Sequence, residues 1–415
     1  MVPYFRRPPG RREEATVRIL IIHSRYLSGS VSGENRVVED EERLLVEAGH
    51  DVSVWSPSPE VAGALDHVRS GASAIWSVAA AREVRRRVAR GGIDVVHAHN
   101  LFPTLSPAAL RAARAGGAAT LVTLHNFRLM CLPANFLRDN EVCEDCLGRL
   151  PWRGVVHRCY RGSALGSAAL AASLGVHRAA GTFDEVTMYL AVSDFVRRKH
   201  IEAGLAPERI AVKPNFAWPA PARVGPGEYF LFLGRLAAEK GVDTLLAAWA
   251  AGEPLGRLLV VGEGPEAAAL RARARAGVEF RSQVPAEEVP GLMAGARALM
   301  VPSRWYEAAP RSIIEAYAAG VPVLASDIGA LPESVRDGES GFLAPPDDPT
   351  AWAEAARRLL DDEESGRLGR GARSLWEERY RPEQALDALE GAYRMAISQR
   401  RSRRTRSTKG GNRRS

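Results

Sequence analysis

The sequence predicts an α/β fold of two doubly wound, Rossmann-like domains facing each other across a cleft. Three observations carry this. The chain has 415 residues, more than one hydrophobic core usually organises. Short apolar runs alternate with helix-patterned stretches throughout, the signature of parallel βαβ architecture. The series also breaks once, at Phe216–Gly227, where three prolines and two glycines read as a linker, and then begins again.

In the first series the predicted strands are 17–22, 51–55, 94–97, 119–124, 186–192 and 210–212. A helix is expected from about Asn35 to Glu47, stopped by Gly49. The second series places strands at 229–233, 257–261, 278–280, 298–301 and 322–325, with amphipathic helices at 352–360 and 382–397. The expected organisation is an N-terminal extension (1–16), a first domain (17–216) with a cysteine-rich insert (128–161), and a second domain (217–381). A helix (382–399) returning to the first domain and a disordered basic tail (400–415) complete it.

Composition excludes several classes. Hydrophobic residues make up 46% and charged residues 25%, as in ordinary soluble domains. No apolar run is long enough to span a bilayer. The first residues lack an apolar signal core, so no export and a cytoplasmic location are expected. The formal charge of +7 is local: eight cations and no acid lie between Arg400 and Ser415, and without them it is −1 (7 − 8). Such a tail is ordinarily a solvated end with no specific role; the alternative is attraction to an anionic membrane surface, at the inner face of the membrane, and no nucleic-acid partner is expected.

The chemistry clusters at predicted strand ends, where doubly wound sheets bind ligands. Glu307 falls in the loop after strand 298–301. Pro310 has the fixed φ and missing N–H that suit a first helical turn, and the helix should run to about Ala319 with Gly320 as its stop. Glu315 then projects from the second turn. Carboxylates accept from hydroxyls and a helix start attracts phosphate, so the pair suits a polyhydroxylated, phosphorylated ligand. In isolation, two such glutamates are ordinary surface charge.

Gly234, Arg235 and Lys240 follow strand 229–233. Arg presents a planar fork to phosphate oxygens and Lys a mobile point charge. Gly262 and Gly264 form a second glycine-rich turn, expected to bring backbone close to a base or ribose. Gly29 and Gly33 bound a Gly/Ser loop whose N–H groups suit a phosphate, and G-x-G-x-x-G is absent. His125 and Asn126 follow strand 119–124. His125 could orient a hydroxyl or accept its proton.

In order and spacing these motifs resemble the retaining nucleotide-sugar glycosyltransferases of the GT-B fold, family 4. The resemblance rests on Gly234-Arg-Leu-x-x-x-Lys-Gly241, Val261-Gly-x-Gly-Pro265, Glu307-x7-Glu315, Gly320-Val-Pro-Val323, Ser326-Asp-Ile-Gly-Ala-Leu-Pro-Glu333, Asp94-Val-Val-His-Ala-His99, Thr123-Leu-His-Asn126 and Lys213-Pro-Asn215. It covers roughly residues 17–395.

The resemblance implies that Arg235 and Lys240 bind the donor diphosphate and that Glu315 holds its ribose. Glu307 with the backbone at Ala308 and Ala309 would meet the transferred sugar, and His125 would lie near sugar and acceptor. The implied partners are a UDP- or GDP-type sugar donor and a glycan or lipid-linked acceptor in polysaccharide assembly. The implied reaction retains anomeric configuration and needs no catalytic metal, and no Asp-x-Asp motif stands out for one. Arg311 departs from the family pattern, standing where an apolar residue is common. A catalytically silent GT-B binding subunit and a sugar-nucleotide epimerase are the alternatives.

All four cysteines, Cys131, Cys143, Cys146 and Cys159, lie in the insert, with 11, 2 and 12 residues between them. In a non-secreted protein this spacing suits structural zinc, with free buried thiols, disulfides or iron–sulfur chemistry as the other readings.

Overall fold

A computed structural model of the chain describes residues 16–25, 33–57 and 73–411. The apolar runs form two six-stranded sheets, all parallel. The first has the order β2-β1-β3-β4-β7-β8, with β1 Arg18–Ile22, β2 Asp51–Trp55, β3 Val95–Ala98, β4 Ala119–Leu124, β7 Met188–Ala191 and β8 Ile210–Val212. Between β4 and β7 the insert carries a hairpin of two short strands, β5 Leu137–Arg138 and β6 Glu141–Val142.

The second sheet has the order β11-β10-β9-β12-β13-β14, with β9 Tyr229–Leu233, β10 Leu258–Val261, β11 Val278–Arg281, β12 Ala296–Val301, β13 Val323–Ser326 and β14 Gly341–Ala344. Sheet membership changes between Val212 and Tyr229, at the proline-rich break. Strands buried on both faces explain why the runs are continuously apolar rather than alternating: β4 and β13 have no exposed residue.

Each strand order reverses once, which opens a crevice at the strand carboxyl ends. In the first domain the reversal lies between β1 and β3, and in the second between β9 and β12. Of the residues singled out, Gly234, Arg235 and Lys240 follow β9 and Glu307 follows β12, whereas His125 and Asn126 follow β4 and Gly262 and Gly264 follow β10.

Helix α1 (Gly33–Glu47) follows β1 and buries Val37, Val38, Leu44 and Leu45, along with two acids, Asp40 and Glu41. The final helix, Pro382–Gly411, crosses back to the first domain, where Leu389, Tyr393 and Ala396 pack with Ile19, Val95 and Leu121.

Three expectations need correction. The segment from Arg400 is not a disordered tail, because the last helix continues through it to Gly411. Strand β14 was missed, being only Gly341-Phe-Leu-Ala344. The helix Asp362–Arg379 was also missed; Gly366, Gly369 and Gly371 mask its period, yet two of them seat it closely, a Cβ on Gly369 standing 2.6 Å from the Gly320 carbonyl oxygen and one on Gly371 2.0 Å from that of Glu339.

Candidate active site

Glu307 is the centre of the site. It leaves β12 in a short loop and is buried. Its Oε1 accepts from Lys240 Nζ at 2.6 Å, Ser303 Oγ at 2.7 Å and Trp305 Nε1 at 2.8 Å. Burial alone would raise its carboxyl; the Lys240 charge and the three donors outweigh that and hold it below the ordinary carboxylate range.

Lys240 reaches this position from the other strand of the reversal, β9. Gly241 makes the approach possible. Its φ is +65° and a Cβ there would stand 2.0 Å from the Pro302 carbonyl oxygen, so only glycine fits. The loop is braced from behind by Gly329, where a Cβ would come within 2.9 Å of Tyr306 Cα, and by Ala330 N–H donating to the Glu307 carbonyl at 3.2 Å.

The first domain supplies the facing wall. A cleft cavity of about 230 Å³ is lined by Gly33, Glu34, His125, Asn215, Lys240, Glu307, Ala309 and Arg311, among others. Two carbonyls of the Glu307 loop are held by that wall: Ser193 Oγ donates to Ala308 O at 2.7 Å, and Asn215 Nδ2 to Ala309 O at 3.3 Å. Phe195 N–H donates to Glu333 at 2.9 Å, and the Phe195 and Tyr306 rings meet edge to face at 4.9 Å.

His125 is partly exposed to the cleft, and its Nε2 lies 2.8 Å from His99 Nδ1. Burial, then the Lys213 charge, pushes its pKa well down, so it is a neutral imidazole at pH 7. Behind it lies a buried polar network. His99 Nε2 faces Glu41 at 3.5 Å, Glu41 is paired with Lys213, and His97 bonds Tyr393 at 2.9 Å and Thr123 at 2.7 Å.

Glu41, His97 and His99 bring three possible metal ligands within 4.8 Å of one another. The Lys213 ammonium on Glu41 and the two filled nitrogens of His97 fit a hydrogen-bonded support for His125 better than a cation site.

Several predicted residues stand elsewhere. Arg235 is exposed, paired with Glu239 and outside the cavity lining. Glu315 also lies outside that lining; it projects from helix Arg311–Ala318 as expected and accepts from Arg311 at 2.9 Å. Asn126 does not line the cavity: its Nδ2 donates to Glu34 at 2.6 Å, and its Oδ1 accepts from Arg128 N–H.

Gly262 and Gly264 have a reason within the fold itself. A Cβ on either would strike the Gly234 or Leu236 carbonyl oxygen, at 1.9 and 2.2 Å, so the glycines seat one strand-end loop on the next. A Cβ on Gly234 would meet nothing closer than 3.5 Å. Gly29 lies outside the described residues. The four cysteines surround one small cavity in the insert.

Sequence reasoning missed Asp40 and Glu41, and it quoted Lys213 and Asn215 in the resemblance without giving them a role. The available signal was two acids on the apolar face of a predicted helix, and a lysine and asparagine flanking a proline after a strand. Arg311 was noticed only as a departure; it joins the domains, donating to Asp40 at 2.6 Å.

Fold and site together define a two-domain glycosyltransferase cleft of the GT-B type. Both halves are matched by sequence models of known families: "Glycosyltransferase Family 4" over residues 31–217 and "Glycosyl transferases group 1" over residues 227–362. The chain belongs to this family of glycosyltransferases.

Phosphatidyl-myo-inositol mannosyltransferase of Mycolicibacterium smegmatis is 29% identical over 352 residues, 77% of this chain and 79% of that one. An exopolysaccharide phosphotransferase of Streptomyces coelicolor is 36% identical over 171 residues, but these are 39% of this chain and only 18% of that one. Among solved structures, Anabaena HepE in complex with UDP superposes with a TM-score of 0.64 at 17% identity, covering 90% of this chain and 99% of that one. That likeness speaks to the fold.

Proposed function

We propose that the protein moves a hexosyl group from a nucleoside-diphosphate sugar of the UDP or GDP type to a hydroxyl of a glycan or lipid-linked acceptor. The reaction retains anomeric configuration and needs no obligatory catalytic metal. The observation that carries this reading is the Lys240–Glu307 pair at the strand reversal, facing a neutral His125 across the cleft.

In this reading the donor diphosphate takes over the Lys240 ammonium, and Arg235 turns from Glu239 to share it. Both cations stabilise charge that develops as the sugar–phosphate bond breaks. Its electron pair goes to the phosphate oxygen. The acceptor oxygen bonds the same face of the sugar carbon and gives its proton to that phosphate oxygen. Glu307, released from Lys240, accepts from the sugar hydroxyls, and Glu315 from the ribose. His125, fixed by His99, orients the transferred sugar.

The UDP in the HepE structure and the lipid in the mannosyltransferase's name support this donor and acceptor class. Among the described residues no helix is long and apolar enough to cross a membrane. The basic end of the last helix would bring a cytoplasmic enzyme to an anionic surface.

The test is incubation with UDP- and GDP-sugars and a membrane or lipid-linked acceptor, with nucleotide release measured and the product linkage read by NMR. Acceptor-dependent release with a retained anomer supports the proposal. Interconversion of donors without transfer, or no turnover across a broad panel, overturns it.

A further inference from the structure

We propose that Cys131, Cys143, Cys146 and Cys159 form a zinc centre that holds the 128–161 insert together. The four thiols come from three separate turns of a segment with little regular structure. All four line one cavity of about 20 Å³, room for a single atom-sized occupant. None is in a disulfide.

The backbone of the insert is costly to maintain. Six of the eight non-glycine residues with positive φ among the described residues lie here: Ala134, Phe136, Asp139, Asn140, Arg158 and Arg161. Asp139 and Asn140 turn the hairpin, where such residues adopt this φ readily, but Ala134, Phe136, Arg158 and Arg161 hold it only where the surroundings over-determine it. A two-residue hairpin and a five-residue helix are weak constraints for that purpose. A tetrahedral cross-link between turns at 131–136, 143–146 and 158–161 would supply a strong one.

The surroundings also suit thiolates. Backbone N–H groups of Phe136, Asn135 and Ala134 face the Cys131 sulfur, and that of Gly154 faces Cys146. Burial works against those bonds, pushing the Cys131 thiol up to about 11 and the Cys146 and Cys159 thiols upward. On binding Zn²⁺ each would release its proton to solvent, leaving four thiolates around a dication, a net −2. Arg138, Arg153 and Asp145 line the same cavity, with both guanidiniums paired to that carboxylate at 2.8 and 3.7 Å, so one net positive charge stands beside the −2.

The sulfurs are spread around the cavity, no three within 4.8 Å of one another, and a zinc ion would need each at about 2.3 Å. The insert abuts the loop that carries Glu307. The Phe136 ring lies 6.1 Å from that of Tyr306, the residue before Glu307.

Elemental analysis of protein purified under reductant without chelator should find about one zinc per chain, lost in a Cys143→Ser, Cys146→Ser double variant. Cobalt substitution of the wild-type chain should give intense visible bands and thiolate charge transfer. The proposal fails if protein supplied with equimolar Zn²⁺ retains none after desalting. It also fails if iron and sulfide are found instead, or if non-reducing mass spectrometry shows disulfides. Should the double variant not fold, the cobalt spectrum and protection of native thiols from modification still decide. None of these readouts depends on glycosyl transfer.

Discussion

Arg311 donates to Asp40 at 2.6 Å across the two domains. Burial works against its charge, and the Glu315 and Asp40 carboxylates more than restore it. Trp218 Nε1 donates to the other Asp40 oxygen at 3.0 Å. The residue that departs from the family pattern is therefore a joint between the domains, and it also donates to Glu315 at 2.9 Å.

Replacing Arg311 by Met should leave Asp40 buried with one partner fewer. Thermal or urea unfolding of Arg311→Met, Asp40→Asn and the double variant should give a coupling of about 0.5–3 kcal/mol, the range for groups in one network. Additive effects would show that the pair does not join the domains energetically.

Gly241 sets the position of Lys240. Gly241→Ala should cost about 1–3 kcal/mol of stability, because a left-handed φ combines with a clash against Pro302 O. Transfer should fall further than stability predicts, since the ammonium moves from Glu307. Normal kcat with a lowered Tm would disconnect this turn from the chemistry.

His97 and His200 are buried and neutral, with burial the main cause, and each is pushed down to about 4. The unfolded chain binds their protons near pH 6.5 and the folded chain does not. Their contribution is therefore complete above pH 6.5 and lost as pH falls toward 4. Each shift corresponds to on the order of 3 kcal/mol. Unfolding followed from pH 7.5 to 4.5 should show stability falling, with a shallower slope in His200→Phe. An unchanged slope in that variant would contradict the assignment.

Removing residues 400–415 should reduce binding to anionic vesicles at low salt, since each surface cation is worth about 1 kcal/mol near such a membrane. Binding to neutral vesicles should not change. Equal retention of truncated and full-length protein on anionic vesicles would leave the basic helix end without this role.

Much of the fold was legible because doubly wound strands are continuous apolar runs, so β2, β4, β8 and β9 appear in the sequence with the bounds they have in the structure. Lys240 and Glu307 were legible for a related reason: strand-end loops keep their chemistry within a few residues of a recognisable run.

What escaped depends on distant partners. Asp40 meets Arg311 from 271 positions away, and Glu41 meets Lys213 from 172. No local pattern announces such pairs, and buried acids on a helix look like errors in its apolar face until their partners are known. The glycines of the 262–264 turn show a further limit. Their spacing marks close backbone approach but does not say whether ligand or protein approaches.

The most direct measurement is the steady-state rate of acceptor-dependent nucleotide release by the wild type, Lys240→Ala and Glu307→Gln, each checked for folding. Loss of one preorganised charge partner should lower the rate about 10²-fold or more in both variants. Near-wild-type turnover in either, with the fold intact, would contradict the placement of the chemistry at this pair.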